Sequence, residues 1–439
     1  MMNRVIIVGG GASGIMAAIT AARNGAQVTV LEQNDRPGRK ILATGNGKCN
    51  LTNLDMDPRH YHTDNPERLR AVLKKWTEKD TIDFFSGIGL DMHDRNGWVY
   101  PATDQSSSVL SLLLLTAREN GVKIKTREHV TEIRIRHEKT GITEGEKQSA
   151  GQKNESADRL GRFAVLTDTW HYDADRVIIA CGSPASAVTG SSDDLIRFAG
   201  QLDIPCREFL PALVPLRVRD QRSSAWAGVR VHARVTILAD DMETASDVGE
   251  IQLTQNSISG IPVFQVSGSA VRALEEGKRV FAVLNFMPDL TDEETALSLM
   301  NKHRSNPGRR TADLLTGMLP DRIIPLFKKE IQAAQDKLDQ TAEQKQNPDG
   351  MFLPLAEKIR HYRVEISGAA SMKQAQTCSG GVPLSELTED LESRRVPGIY
   401  FTGETADADG ECGGYGLQWA FASGHAAGVA ASFVKNQTP

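Results

Sequence analysis

The chain has 439 residues, 40% of them hydrophobic and 24% charged, with a formal net charge of -5. That length exceeds one simple core, so two or three domains are expected. The acidic balance speaks against a nucleic-acid surface and a polybasic membrane anchor, and five scattered cysteines with no C-x-x-C pair speak against a disulfide framework or a metal site.

A reducing cytoplasm is therefore the default compartment. The ten histidines show no metal-ligand spacing, and no metal is expected. The fold is expected to start at Val5, which leaves no room for a signal peptide. The longest apolar run, residues 109–117, is too short to span a bilayer.

In chain order, Val5-Ile6-Ile7-Val8 reads as a strand buried on both faces of a parallel sheet. Gly9, Gly11 and Gly14 then fill a G-x-G-x-x-G pattern, and Ile15 opens a helix of small and apolar residues. Gly9 allows the tight turn, Gly11 lets the backbone approach a pyrophosphate, and Gly14 lets helix and strand pack closely. The helix start, with Ala12 and Ser13, offers free N–H groups and a positive dipole end. A second strand, Gln27 to Leu31, delivers Glu32, eighteen residues past Gly14, where an acid can accept from ribose hydroxyls. Strand, glycine turn, helix and acid together specify a dinucleotide site. They do not separate NAD from FAD.

Gln33 to Lys40 is a loop after the ribose-binding acid, and Arg39 and Lys40 make its end basic. Residues 41–53 carry Thr44, Gly45, Asn46, Cys49 and Asn50 at a density that suits ligand contact more than structure. Residues 66–87 read as one helix and 97–101 as a short strand. Ser106 to Ser108 are expected to cap a helix running to Asn120, with Gly121 after it. Strands follow at 122–124 and 130–135. Residues 137–161 are almost devoid of large apolar side chains and read as a solvated hairpin tip. Strands return at 163–167 and 176–179, the second leading to Ala180 and Gly182 beside the cofactor.

From 205 the texture changes to strands at 213–216, 229–238, 251–254 and 281–286. A turn is expected at 257–262 and a short helix at 270–276. Residues 292–338 are helical with a break near 306–308, 339–350 is a solvated helix end and linker, and 362–366 is a strand. The last stretch repeats the opening. The stretch 396–404 is a strand ending in Gly403 and Glu404, and Cys412 to Gly416 open a helix rich in small residues. Such an arrangement presents an acid to a ribityl chain and a helix dipole to a flavin ring.

These stretches make the chain resemble the BaiN-like (YhiN-like) FAD-dependent oxidoreductases. The resemblance rests on Gly9–Gly14, the Thr44–Asn53 loop, Gly97–Pro101, Pro211–Leu216, Ile258-Ser259-Gly260, Ser379-Gly380-Gly381-Val382 and Gly403–Gly428. It implies an α/β fold of the two-dinucleotide-binding-domain flavoprotein class: a Rossmann-type FAD-binding domain with an inserted β-barrel-like domain and a helical subdomain. The expected boundaries are 1–205 and 370–439 for the FAD domain, 206–286 and 351–369 for the β-rich insertion, and 287–350 for the helical subdomain.

By the same resemblance Gly9, Gly11, Ala12, Ser13 and Gly14 face the pyrophosphate. Glu32 and Gln33 lie at the adenosine ribose, Arg39 and Lys40 near ribose and phosphates, and Val130 at adenine. Thr44, Gly45, Asn46, Cys49 and Asn50 lie near the flavin, with Ala180 and Gly182 beside the cofactor. Gly403 and Glu404 meet the ribityl-phosphate, and Gly414, Tyr415, Gly416, Leu417 and Gln418 the isoalloxazine. Two stretches depart from the family: Gly416 stands where Asn is usual, and Gln255 and Ser257 stand where many members have His and Gly.

The implied activity is reduction of an activated C=C bond in an unsaturated oxo substrate of the steroid or bile-acid kind, with NAD(P)H as a transient hydride donor. Tyr415, Cys412, Cys49 and His425 are the acid–base candidates, each with core packing as its plain alternative. Two other functions use the same cradle: an oxidase of a small amine, and a non-catalytic redox sensor or RNA-linked factor. The expected partner is a small molecule, with no nucleic acid and no membrane, and the expected state is a monomer or homodimer.

Overall fold

The computed structural model describes residues 2–136, 161–186, 193–220, 223–344 and 350–433. The expected hairpin tip lies, but for its last residue, outside them. Two compact units divide the chain, one of Met1–Phe209 with Thr377–Pro439, the other of Leu210–Gln376.

The first unit is built on five parallel strands. In chain order its central elements are β1 (Arg4–Val8), α1 (Ala12–Arg23), β2 (Gln27–Glu32), β3 (Lys123–Thr126), β4 (Arg176–Ile179), β5 (Ile399–Phe401) and α2 (Tyr415–Ser432). The strand order is β5-β4-β1-β2-β3, so β1 lies at the centre. Its unbroken apolar run follows from that place. Val5 and Ile7 join one buried cluster with Ile15, Met16 and Phe421, while Ile6 and Val8 join another with Phe163, Val165 and Trp419. Both faces are covered, so neither set of alternate side chains can be polar.

Helix α2 lies on α1 through Gly424 and Gly428. A Cβ at Gly424 would sit 2.4 Å from the Ser13 carbonyl oxygen, and one at Gly428 would sit 2.6 Å from that of Ala17. The small residues of this helix are thus a close-packing seam.

The expected helix over 66–87 is two helices, Pro66–Lys75 and Glu78–Gly87. Thr77 and Asp80 form a reciprocal capping box, which starts a new helix at Glu78. The helix Ser106–Glu119 is capped by Gln105 without a side-chain bond, so the serines do not cap it, and the Ser108 hydroxyl pairs with Thr103. An antiparallel sheet of Val130–Ile135, Phe163–Thr167 and His171–Ala174 stands beside the core.

The second unit is a closed barrel of Leu216–Arg219, Ser257–Ser259, Met242–Leu253, Val229–Ala239, Val280–Asn285 and Tyr362–Ala369, in that order around the ring. Its longest hairpin turns through Asp240 and Asp241, with φ of 47° and 66°, where short polar side chains tolerate left-handed backbone. The expected turn at 257–262 is a strand followed at once by the helix Ile261–Glu275, far longer than the expected 270–276. Pro262 is compatible with a helical first turn. Gly260 (φ +105°) makes the corner, because a Cβ there would lie 2.6 Å from the Glu250 carbonyl oxygen. The helical stretch comprises Asp292–Ser305, Thr311–Leu315 and Lys328–Gln344, so the expected helix end before the linker reaches Gln344. Leu353–Arg360 is a further helix that the sequence reading missed.

Candidate functional site

The first glycine turn separates into two kinds of position. A Cβ at Gly9 (φ +105°) would lie 2.4 Å from the Ala180 carbonyl oxygen, and one at Gly14 would lie 2.1 Å from that of Gly9. Those two glycines are required by the protein's own packing. Gly11 is different: φ is -80° and a Cβ would meet nothing within 4 Å. The protein leaves open space at the one glycine where a pyrophosphate would approach, which fits a bound dinucleotide.

Glu32 is buried at the end of β2. Its carboxylate accepts from the Gly10 N–H at 2.9 Å, the Asn34 N–H at 2.8 Å and the Asn34 amide at 2.7 Å. These bonds fix the carboxylate beside the turn, and its further lone pairs can accept from ribose hydroxyls. Arg39 bonds the Asn34 side chain at 2.8 Å. Glu128 donates to the Glu32 carbonyl and Arg127 to that of Asn34, which brings the strand beginning at Val130 to the same edge. Val130 pairs with Thr167, and its carbonyl accepts from Arg197 at 3.1 Å.

Gly403 (φ +63°) and Glu404 join the two ends of the chain. A Cβ at Gly403 would stand 2.7 Å from the Ser13 hydroxyl oxygen, and the Gly403 N–H donates to Ser423. Lys40 reaches Glu404 at 2.6 Å, and the Ser183 hydroxyl also donates to that carboxylate. Gly182 (φ +75°) precedes Ser183 and faces open space.

Residues 44–53 meet the start of α2. Gly45 and Asn46 are left-handed (φ 55° each), and so is Cys49 (φ 63°). Asn53 donates to the Gly413 carbonyl at 2.9 Å, and a Cβ at Gly414 would sit 2.6 Å from the Thr52 carbonyl group. The Asn50 amide nitrogen and oxygen and the Thr52 hydroxyl are buried with no hydrogen-bond partner. Such groups are satisfied when a polar ligand edge is placed against them. Gly416 is exposed, with nothing within 4 Å of a Cβ. The first intrahelical bond of α2 is from Gln418 to Gly414, so the N–H groups before it lack helical partners.

Gln418 needs a correction as a flavin contact. Its amide donates to the Trp76 carbonyl at 2.9 Å and accepts from Thr81 at 2.7 Å, and the residue is fully buried. The side chain ties α2 to the two helices around Thr77. Leu417 is partly buried and packs against the α1-side core.

The four acid–base candidates differ in setting. Burial pushes the Cys49 thiol up to about 12, so it carries no thiolate near neutrality. The Tyr415 hydroxyl donates to the Asp55 carbonyl at 3.1 Å, and burial, with Asp55 and Glu411 nearby, raises it to about 12. His425 lies ten residues along α2, roughly 15 Å from its start. It packs on Trp76 at 4.2 Å, and burial lowers its pKa. Cys412 is partly exposed immediately before the glycine pair. Among the described residues no cluster could hold a metal ion, and no helix is long and apolar enough to cross a membrane.

A cluster missed by the sequence reading flanks this region. Tyr61–Thr63 pairs antiparallel with Ala408–Gly410, and the ribbon carries the pairs His62–Asp409 and His60–Glu411. Beyond them Asp407, buried and raised by desolvation, is bound by Arg207 at 2.7 Å and by the Gly380 N–H. The signal was the alternation Asp407-x-Asp409-x-Glu411 facing His60-x-His62, which places each set on one strand face.

A family model described as the HI0933-like protein Rossmann domain matches residues 3–430. A 3-dehydro-bile acid delta(4,6)-reductase of Clostridium scindens is 38% identical over 98% of this chain and 99% of its own. Ribosomal RNA dihydrouridine synthases are also similar: that of Haemophilus influenzae at 25% identity (97% and 98% covered) and that of Escherichia coli at 26% (95% and 95%).

Proposed function

From the premise that the chain belongs to the HI0933-like family and is an FAD-dependent oxidoreductase, we infer that it reduces a C=C bond conjugated to a carbonyl in a steroid- or bile-acid-like oxo substrate, with NAD(P)H as the hydride donor. The observation that carries this reading is the full-length similarity to the bile-acid reductase. FAD, when bound, takes up two electrons from a donor and passes them on as hydride to an electron-poor carbon.

The chain's own residues supply the binding. Glu32 would hold the adenosine ribose. The open backbone at Gly11 and the N-terminus of α1 would take the pyrophosphate. Lys40, Ser183 and Glu404 would fix the middle of the cofactor, and residues 44–53 with the start of α2 would face the ring. A nicotinamide donor would dock transiently, since the sequence holds no second dinucleotide fingerprint.

A second reading has a specific observation in its favour. The dihydrouridine synthases cover nearly the whole chain, and their name also describes saturation of a C=C bond next to a carbonyl, in uridine of ribosomal RNA. The test uses the FAD-loaded protein without oxygen. NADH or NADPH should bleach the flavin, and an unsaturated 3-oxo steroid should restore its colour and gain two hydrogens by mass spectrometry. Recovery of colour with unmodified ribosomal RNA alone would favour the second reading. Bleaching by a small amine, with peroxide formed in air, would favour an oxidase and overturn both.

A further inference from the structure

The start of α2 has a mechanical problem. Gly413 (φ +124°) and Gly414 (φ +97°) precede it directly, and no side chain caps it. Two glycines in series give the turn wide conformational freedom. The N–H groups at the helix start can face a ligand in one direction only if something outside the turn fixes them.

The contacts from residues 53–61 do this, and His60 reaches both sides of the glycine pair with one ring. Its Nδ1 lies 2.8 Å from Oε2 of Glu411, on the near side of the glycine pair. Since a carboxylate only accepts, Nδ1 carries the proton in that bond. Its ring stacks on Tyr415, on the far side, at 4.6 Å and 23°. The backbone agrees, with Glu411 N–H donating to the His60 carbonyl at 3.0 Å. Tyr61 donates to the Tyr415 carbonyl at 2.9 Å, and Tyr415 to the Asp55 carbonyl. The remaining ring nitrogen, Nε2, faces Asp55 at 3.3 Å and Arg59 at 3.4 Å.

We propose that His60 is a positioning residue that clamps both sides of the Gly413-Gly414 pair and thereby aims the N-terminus of α2 at the flavin. Histidine is suited to this double task. Phenylalanine can stack but cannot bond Glu411, and glutamine can bond Glu411 but cannot stack. The helix end carries partial positive charge, so its aim sets both affinity for the ring and the ease with which the ring accepts electrons. His60 acts through the helix start and need not touch the cofactor.

The proposal rests on FAD being the cofactor, and the experiment separates the two. The wild-type protein is stripped and titrated with FAD by flavin fluorescence, and the midpoint potential of the bound flavin is measured. No uptake by the wild type would remove the premise. With uptake established, His60→Phe and His60→Gln should each weaken FAD about 3-fold and His60→Ala about 10-fold, matching one lost contact and two. All three should lower the midpoint potential, and Glu411→Met, which leaves no acceptor for Nδ1, should reproduce His60→Phe. Thermal melting of each variant checks the fold, and the two milder variants keep the test open should His60→Ala not fold. Unchanged affinity and potential in folded His60→Phe and His60→Gln would overturn the proposal.

Discussion

Two glycine turns serve the same unit and are held in opposite ways. At Gly9–Gly14 the tight contacts are made within the turn and with the neighbouring strand: Gly14 against the Gly9 carbonyl, Gly9 against that of Ala180. At Gly413-Gly414 the contacts come from far along the chain. Thr52, Asn53 and Trp98 pack against the glycines, and Asn53 bonds Gly413 across 360 residues of sequence. The first turn is supported by the sheet it leaves. The second is held by a brace that exists only once the chain has folded. The first turn can therefore be compact and self-contained, whereas the second depends on residues 44–63 and on Trp98.

The sharpest way to break this contrast is at Gly14. Gly14→Ala should destabilise the protein by about 3 kcal/mol, since the new methyl would overlap a backbone oxygen that cannot move alone. Gly11→Ala should leave stability within about 0.5 kcal/mol and weaken FAD about 10-fold, because only the ligand needs that space. Urea unfolding and FAD titration read the pair, and equal loss of stability would erase the distinction between packing and ligand glycines.

Gly414→Ala comes next. Its Cβ would press on the Thr52 backbone and its φ is left-handed, so a loss of about 2 kcal/mol is expected together with weaker FAD binding. If stability fell with FAD affinity intact, the start of α2 would not be part of the site. Glu32→Gln probes the first region alone. It keeps shape but sets an amide NH2 against the Gly10 or Asn34 donors, so FAD binding should weaken about 10-fold and the melting temperature should fall as well. Unchanged affinity would remove Glu32 from the ribose.

A further effect, confined to alkaline pH, lies in the brace. The Cys49 thiol titrates at 9.0 when unperturbed and is pushed up to about 12 in the folded protein. Between those values the unfolded state binds fewer protons, so stability falls as pH rises from 9.0 towards 12. Cys181, Cys206 and Cys378 are raised in the same direction. Cys49→Ala should flatten part of that slope, measured by denaturant midpoints at stepped pH, and an identical slope would show that Cys49 does not report on the brace.

The sequence was legible where partners are close. The central strand, the turn after it and Glu32 stand as expected because a strand, its turn and its helix make their contacts within thirty residues or with an adjacent parallel strand. The break at Trp76-Thr77 was a local capping signal present in the sequence and passed over. Gln418 was misread for a different reason. Its position in a glycine-opened helix start suggested a ligand contact, but the rotation of α2 hands its amide to Trp76 and Thr81. The helix at Ile261–Glu275 was hidden by Gly260 and Pro262, which read as a turn and instead form a corner and a helix start.

By itself the sequence determined the dinucleotide turn and the family, since hydrophobic run, glycine spacing and acid are properties of consecutive residues. Tertiary structure alone decided which glycines answer to packing and which face open space, because that depends on what lies beyond each missing Cβ. It also decided the role of His60. Its two contacts, Glu411 and Tyr415, lie on either side of a flexible glycine pair some 350 residues away, and the ribbon of Tyr61–Thr63 with Ala408–Gly410 is what brings them within reach.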